Sequence, residues 1–355
     1  MRRLTLLLSG LLLVILVLPL HAQDDSISLL TDSIDPVTGM VSLQWVDLPA
    51  GTQRPITSLS GASYCPPQFD ADGHRLLFEP FVAGDNSLVY EIDLTEDAIA
   101  PMDTPDQQGL GCPAVNPGRP SVAWLHPIEG GDEIIVTDPD GSNPVMLSQH
   151  HGIYDPMWSP NGDILIYTAI DEDQTFRPLY AHHEAVTRFW PRDAGLVIDY
   201  VWLPDSSALI LAYYTQENAV IGRMPRECVI ADDCQPTPLT TFDINSGLLL
   251  TNAFSPDGSQ LIVIEEQSLT RGELQSELFS LNVMDGGQAR LTSLPNLIKT
   301  SAIWPDDIYF VGGRFDAATL AFSASAIYRL DTASGDVEVA YQAEGYFPVQ
   351  IIWAE

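Results

Sequence analysis

The chain has 355 residues, 45% of them hydrophobic, and carries 48 Asp and Glu against 15 Lys and Arg, for a formal net charge of −33. A surface this acidic repels phosphate backbones and anionic headgroups, which argues against nucleic acid or a charged membrane surface as partner. The 27 prolines and 25 glycines suit a turn-rich, helix-poor chain.

Arg2 and Arg3 precede an apolar run from Leu4 to Leu20, and Leu20-His21-Ala22 offers small-residue cleavage before Gln23. This is the form of a secretory signal. The run is short for a spanning helix, and Pro19 near its end favours cleavage over anchoring. No cysteine follows to carry a lipid. The expectation is a signal peptide over 1–22 and one domain over 23–355, exported to a periplasm, a cell surface or the medium. No membrane insertion is expected after cleavage.

Ser26 to Leu30 and Met40 to Asp47 read as strands around a turn at Asp35 to Gly39, and Arg54 to Thr57 follows as a third. These match the later strands of a unit whose first strand is missing. The unit itself is clearest at Met157 to Ala169. Trp158 closes one strand, Ser159-Pro160-Asn161-Gly162 supplies a tight turn, and Ile164 to Tyr167 form a second strand. That second strand is apolar on both alternating faces, as required when a sheet is packed between two others.

Copies of the unit follow one another along the chain. They lie at Phe69 to Gly73, near Asn116, at Trp202-Leu203-Pro204-Asp205-Ser206, at Phe254 to Gly258, at Trp304-Pro305-Asp306-Asp307 and finally at Trp353. The period is about 47 residues. Pro348 to Trp353 supplies the first strand that the N-terminus lacks, so one strand from the end is expected to join three from the beginning. Such pairing closes a ring and removes exposed edges. The predicted fold is therefore all-β: a closed β-propeller of four-stranded blades, seven favoured over six. Between the units, Arg314 to Ser325 reads as a long excursion and Cys228 to Cys234 as a hairpin excursion.

The Trp/Phe-Ser-Pro-Asp/Asn-Gly copies resemble those of the TolB-like, WD40-like propeller repeats of exported bacterial proteins. The resemblance covers nearly all of residues 23–355. It implies a propeller and says little of activity, since such repeats occur both in translocation scaffolds and in the propeller halves of prolyl oligopeptidase-like enzymes. Neither the additional N-terminal domain of the former nor the hydrolase domain of the latter is evident here.

Four cysteines in an exported chain point to disulfides. Cys228 and Cys234 flank a short loop, and Cys65 and Cys112 hold matching places in adjacent copies, each followed by proline. The expected pairs are Cys65 with Cys112 and Cys228 with Cys234.

No Gly-x-Ser-x-Gly elbow and no glycine-rich phosphate loop occurs. His150-His151 and His182-His183-Glu184 invite a metal, but neighbours on a strand point to opposite faces, so solvent-facing histidines are the simpler reading. Asp70 to Gly73 and Asp138 to Gly141 open like calcium loops, yet Phe81 and Gln149 stand at the twelfth positions, where a bidentate acid belongs. No metal ligand or cofactor is assigned, and calcium held between loops remains an alternative.

The candidate contact residues precede the repeat markers: Tyr64, Tyr154, Asp155, Asp199, Tyr200 and Asn252. They fall on the strands nearest the axis and vary freely between copies, and tyrosines give large contact area at low entropy cost. The favoured function is an extracytoplasmic, monomeric, non-catalytic scaffold binding a protein or peptide at one mouth of the ring. The alternatives are a hydrolase or lyase acting on peptide or carbohydrate through paired carboxylates, and a calcium-stabilised structural or cell-surface module.

Overall fold

The computed structural model describes residues 27–34, 40–60, 68–69, 74–78, 89–96, 98–101, 111–170, 178–184, 186–190, 196–231, 234–268, 274–292, 298–316, 321–342 and 347–354. The expected signal peptide, the turns at 35–39 and 70–73, Tyr64 and Cys65 lie outside these residues.

The organising unit folds as its sequence dictates. Ser159 N–H donates to Ile164 O and Gly162 N–H returns to Ser159 O, while Ser159 Oγ accepts Ile164 N–H at 3.0 Å and donates to Asn161 Oδ1 at 2.7 Å. Ser255 repeats this, accepting Gln260 N–H at 2.9 Å and donating to Asp257 Oδ1 at 2.6 Å. The serine and the Asn or Asp two residues on therefore form one turn device. Gly162 closes it at φ +74°, where an added Cβ would run into Asn116 Oδ1 of the preceding blade. After the turn, every residue from Ile164 to Ala169 is buried, so the strand is covered on both faces.

Seven four-stranded antiparallel sheets result. Blade 1 combines β28 (Phe347–Ala354) with β1 (Ile27–Ile34), β2 (Met40–Leu48) and β3 (Thr52–Ser60). Blades 2 to 7 each use four consecutive strands. Their inner strands are β4 (Gln68–Phe69), β8 (Gly111–Val115), β12 (Gly152–Trp158), β16 (Leu196–Trp202), β20 (Gly247–Phe254) and β24 (Ile298–Ile303). The favoured count of seven holds, and Trp353 sits in an inner strand, paired with Leu30.

Packing runs from each blade to the next. Leu30, Trp45 and Leu76 join blades 1 and 2; Leu77 and Trp124 join 2 and 3; Leu165 and Tyr167 pack against Ala123 and Leu125 between 3 and 4. Trp202, Phe254 and Trp304 enter the next three clusters, so the recurring aromatic is an inter-blade filler. A seventh cluster joins Tyr309 and Val311 of blade 7 to Leu29, Val46 and Ile351 of blade 1. Seven sheets thus share seven interfaces, as a ring requires.

Two local expectations are corrected. The stretch from Arg314 is not a separate excursion: β25 (Ile308–Asp316) and β26 (Ala321–Leu330) stay paired out to Asp316↔Ala321, because the cross-strand pair Phe315↔Phe322 favours a strand and no proline interrupts the ladder. The cysteine excursion is a helical turn, α1 (Arg226–Val229), rather than a hairpin, and Val229 is buried under it in the cluster between blades 4 and 5. The bond itself is as expected, Cys228 to Cys234. Cys112 is also disulfide-bonded. Replacing Cys228 and Cys234 by serine should lower unfolding free energy by about 2 kcal/mol, the chain-entropy cost of so short a loop, read by urea titration.

Candidate functional site

An inner strand has a ladder neighbour on one side only, which leaves backbone N–H groups on the other without partners. Side chains of the preceding blade supply them. Ile153 N–H donates to Asp132 Oδ2 at 3.0 Å, Leu250 N–H to Asp199 Oδ2 at 2.6 Å, Lys299 N–H to Ser276 Oγ at 2.6 Å and Ile351 N–H to Ser301 Oγ at 2.9 Å.

The same strands carry a β-bulge. Register shifts fall between Gly111 and Ala114, Tyr154 and Met157, Val197 and Asp199, Leu250 and Phe254, and Lys299 and Ser301. Cys112 and Asp155 take positive φ there, and proline follows each, where no ladder N–H is needed. The bulge is what lifts candidate residues out of the ladder. Asp155 and Asn252 are exposed and Tyr154 is half-buried.

Asp199 and Tyr200 have a different standing. Tyr200 is 4% exposed, and its hydroxyl donates to the Asp155 carbonyl of the neighbouring blade, so it tethers two inner strands and offers little contact surface. Its apolar ring belongs to the cluster between blades 4 and 5, which explains why it turns inward. The Asp199 carboxylate accepts N–H groups from both Leu250 and Tyr200. Burial nevertheless pushes its carboxyl up to about 7, the two hydrogen bonds opposing this and the Asp155 charge adding to it.

Lys299, the sole lysine of the chain, has no motif around it that marks a site in the sequence. It is fully buried on β24, and its ammonium donates to Ser276 O. Burial lowers its pKa from 10.5 to about 8, against the opposing pull of Glu277, which is itself paired with Arg290 at 2.6 Å. The period of the repeat would have placed it beside the other inner-strand positions, but a lysine in an apolar frame gives no burial signal of its own. Because the folded pKa lies below the unfolded one, this amine opposes folding below about pH 8 and the opposition disappears as pH rises towards 10.5. Between pH 7.5 and 10.5 the unfolding free energy of the parent should rise by about 3 kcal/mol relative to Lys299→Met, read from paired urea titrations. A constant difference would contradict the lowered pKa.

The histidine pairs separate as alternation requires. His150 lies against Tyr180, with ring centroids 4.3 Å apart, whereas His151 Nδ1 meets Gly130 O at 3.1 Å. His183 Nδ1 meets Asp163 O at 3.1 Å. Asp138 to Gly141 is a turn in which Ser142 and Asn143 donate to the two carboxylates. Among the described residues no three His, Cys, Asp or Glu side chains gather as a metal site, and no helix is long and apolar enough to cross a membrane.

Comparison with protein-family models and with curated proteins finds no match. Among solved structures the chain is similar to TolB from Acinetobacter baumannii, with TM-score 0.52, 15% identity and 74% of this chain covered. It spans only 62% of that protein's length. Oligogalacturonate lyase from Vibrio parahaemolyticus matches with TM-score 0.60 and 13% identity over 87% of this chain and 92% of its own. A putative 6-phosphogluconolactonase from Bacteroides uniformis gives 0.59 and 15% over 93% and 99%. At these identities the likeness shows the β-propeller fold alone, and the chain's own seven four-stranded sheets make it a seven-bladed one.

Proposed function

We propose that the chain is an extracytoplasmic scaffold that recognises a protein or peptide at one mouth of the ring, without catalysis. The observation that carries this reading is the row of bulges: they present Tyr154, Asp155 and Asn252 from inner strands on either side of β16, whose Asp199 and Tyr200 are already engaged in joining blades. The recurring turn chemistry is spent on folding, which leaves the bulges to vary with the partner. The disulfide between Cys228 and Cys234 supports an oxidising, exported setting. A photo-cross-linking residue placed at Asp155 or Asn252 should give one saturable protein adduct, and the same residue at Val339, exposed on an outer strand, should give none. Equal labelling at all three positions, or none at Asp155 and Asn252, would overturn the reading.

A second reading has one observation in its favour. A carboxyl raised to about 7 with a carboxylate, Asp155, on the inner strand of the preceding blade is the kind of group that acid–base catalysis uses, and one structural neighbour is an oligogalacturonate lyase. Appearance of new chain ends from oligogalacturonate, lost in Asp155→Asn, would favour the enzyme.

A further inference from the structure

Between the inner-strand turns of blades 5 and 6 lies an open pocket of about 380 Å³, outside the bulge positions. Its apolar side is made by Leu203 and Val283, both buried, and by Met284, which is 66% exposed. Asp205 and Asp257 contribute the polar side, each from the same position of its own turn. Ser207 N–H donates to Asp205 Oδ1 at 2.9 Å, and Ser255 Oγ, Ser259 N–H and Ser259 Oγ all donate to Asp257 Oδ1. These bonds, joined at Asp205 by the charge of Arg223, hold both carboxyls below the ordinary range, Asp257 at about 2. No basic side chain lines the pocket, and the chain as a whole carries −33.

The occupant must therefore have an apolar stem and a cationic head. A thioether such as Met284 adapts to a methylene chain, and long basic side chains lay their stems on apolar surface while the head stays polar. Two fixed carboxylates suit the several donors of a planar guanidinium better than a single ammonium. The excess negative charge steers basic partners towards the protein. We propose that this pocket receives an arginine side chain from a basic peptide segment of a protein partner. The proposal rests on the protein- or peptide-binding reading above, and it adds a second contact point away from the bulges.

The probe is acetyl-Leu-Arg-Leu-amide, titrated into the purified protein carrying carbon-13 methionine methyls, with the Met284 signal assigned through Met284→Leu. The expected result is a saturable shift of the Met284 methyl, at least about tenfold weaker when citrulline replaces arginine. The paired variant D205N/D257N should weaken binding similarly and still fold, because Asn161 holds the corresponding turn position and accepts Asp163 N–H through Oδ1. A still Met284 signal, or equal binding by the citrulline peptide or the paired variant, would overturn the proposal. Free arginine binding as well as the peptide would make this a small-cation site, and a shift on concentrating the protein alone would make it a contact between copies; either outcome overturns the peptide assignment. Peptide binding here without cross-linking at Asp155 would instead retain this pocket and remove the mouth.

Discussion

A chain ended before Phe347 should lose at least about 3 kcal/mol of unfolding free energy and run as larger species on size exclusion. The first effect follows from burial: Ile351 is 3% exposed, worth about 1.5 to 3 kcal/mol, and the ladder from Leu29↔Ala354 to Ile34↔Phe347 goes with it. The second follows from the edge that deletion leaves on β1, since an unpaired strand is a template for another chain. Urea titration and chromatography at several concentrations check both. Unchanged melting would mean that β28 does not hold blade 1 to blade 7.

Asp199→Asn should change how stability depends on pH. The folded carboxyl is raised from 3.8 to about 7, so between those values the native state holds a proton that the unfolded chain has released. Stability from this group is complete below about pH 3.8 and is lost as pH rises through about 7. The loss amounts to about 4 kcal/mol by pH 8. Asparagine cannot titrate, but it sets an amide donor against one of the two N–H groups, a pH-independent cost of about 1 to 3 kcal/mol. The variant is therefore the weaker protein at pH 4.5 and gains about 3 kcal/mol on the parent between pH 4.5 and pH 8. Parallel titration curves at the two pH values would show that Asp199 is ionised in the folded state throughout.

The architecture was legible because its signals are local and repeated. Ser159 to Gly162 names a turn, Ile164 to Tyr167 names a strand buried on both faces, and the mismatch between three early strands and one late strand names the closure. The contact positions were only half legible. Sequence places Tyr200 beside Asp199 on an inner strand, but the bulge decides which way each neighbour faces, and a bulge depends on the partner strand's register. Cys112-Pro113 and Asp155-Pro156, where a proline follows each bulged residue, are the hint that the sequence offers. The helical turn at Arg226 reflects tertiary context overriding short-range propensity, whereas the long pairing of β25 with β26 follows the local propensity of its residues. The burial of Lys299 depends on Ser276 and Glu277 in a neighbouring blade, a relation that no short window contains.

That burial has a practical consequence. A lysine-specific protease has one side chain to cut beside in the whole chain, and it lies at the interface of blades 6 and 7 with no exposed surface. Cleavage then requires those blades to part, and the rate of a single cut becomes a clock for the opening of the ring.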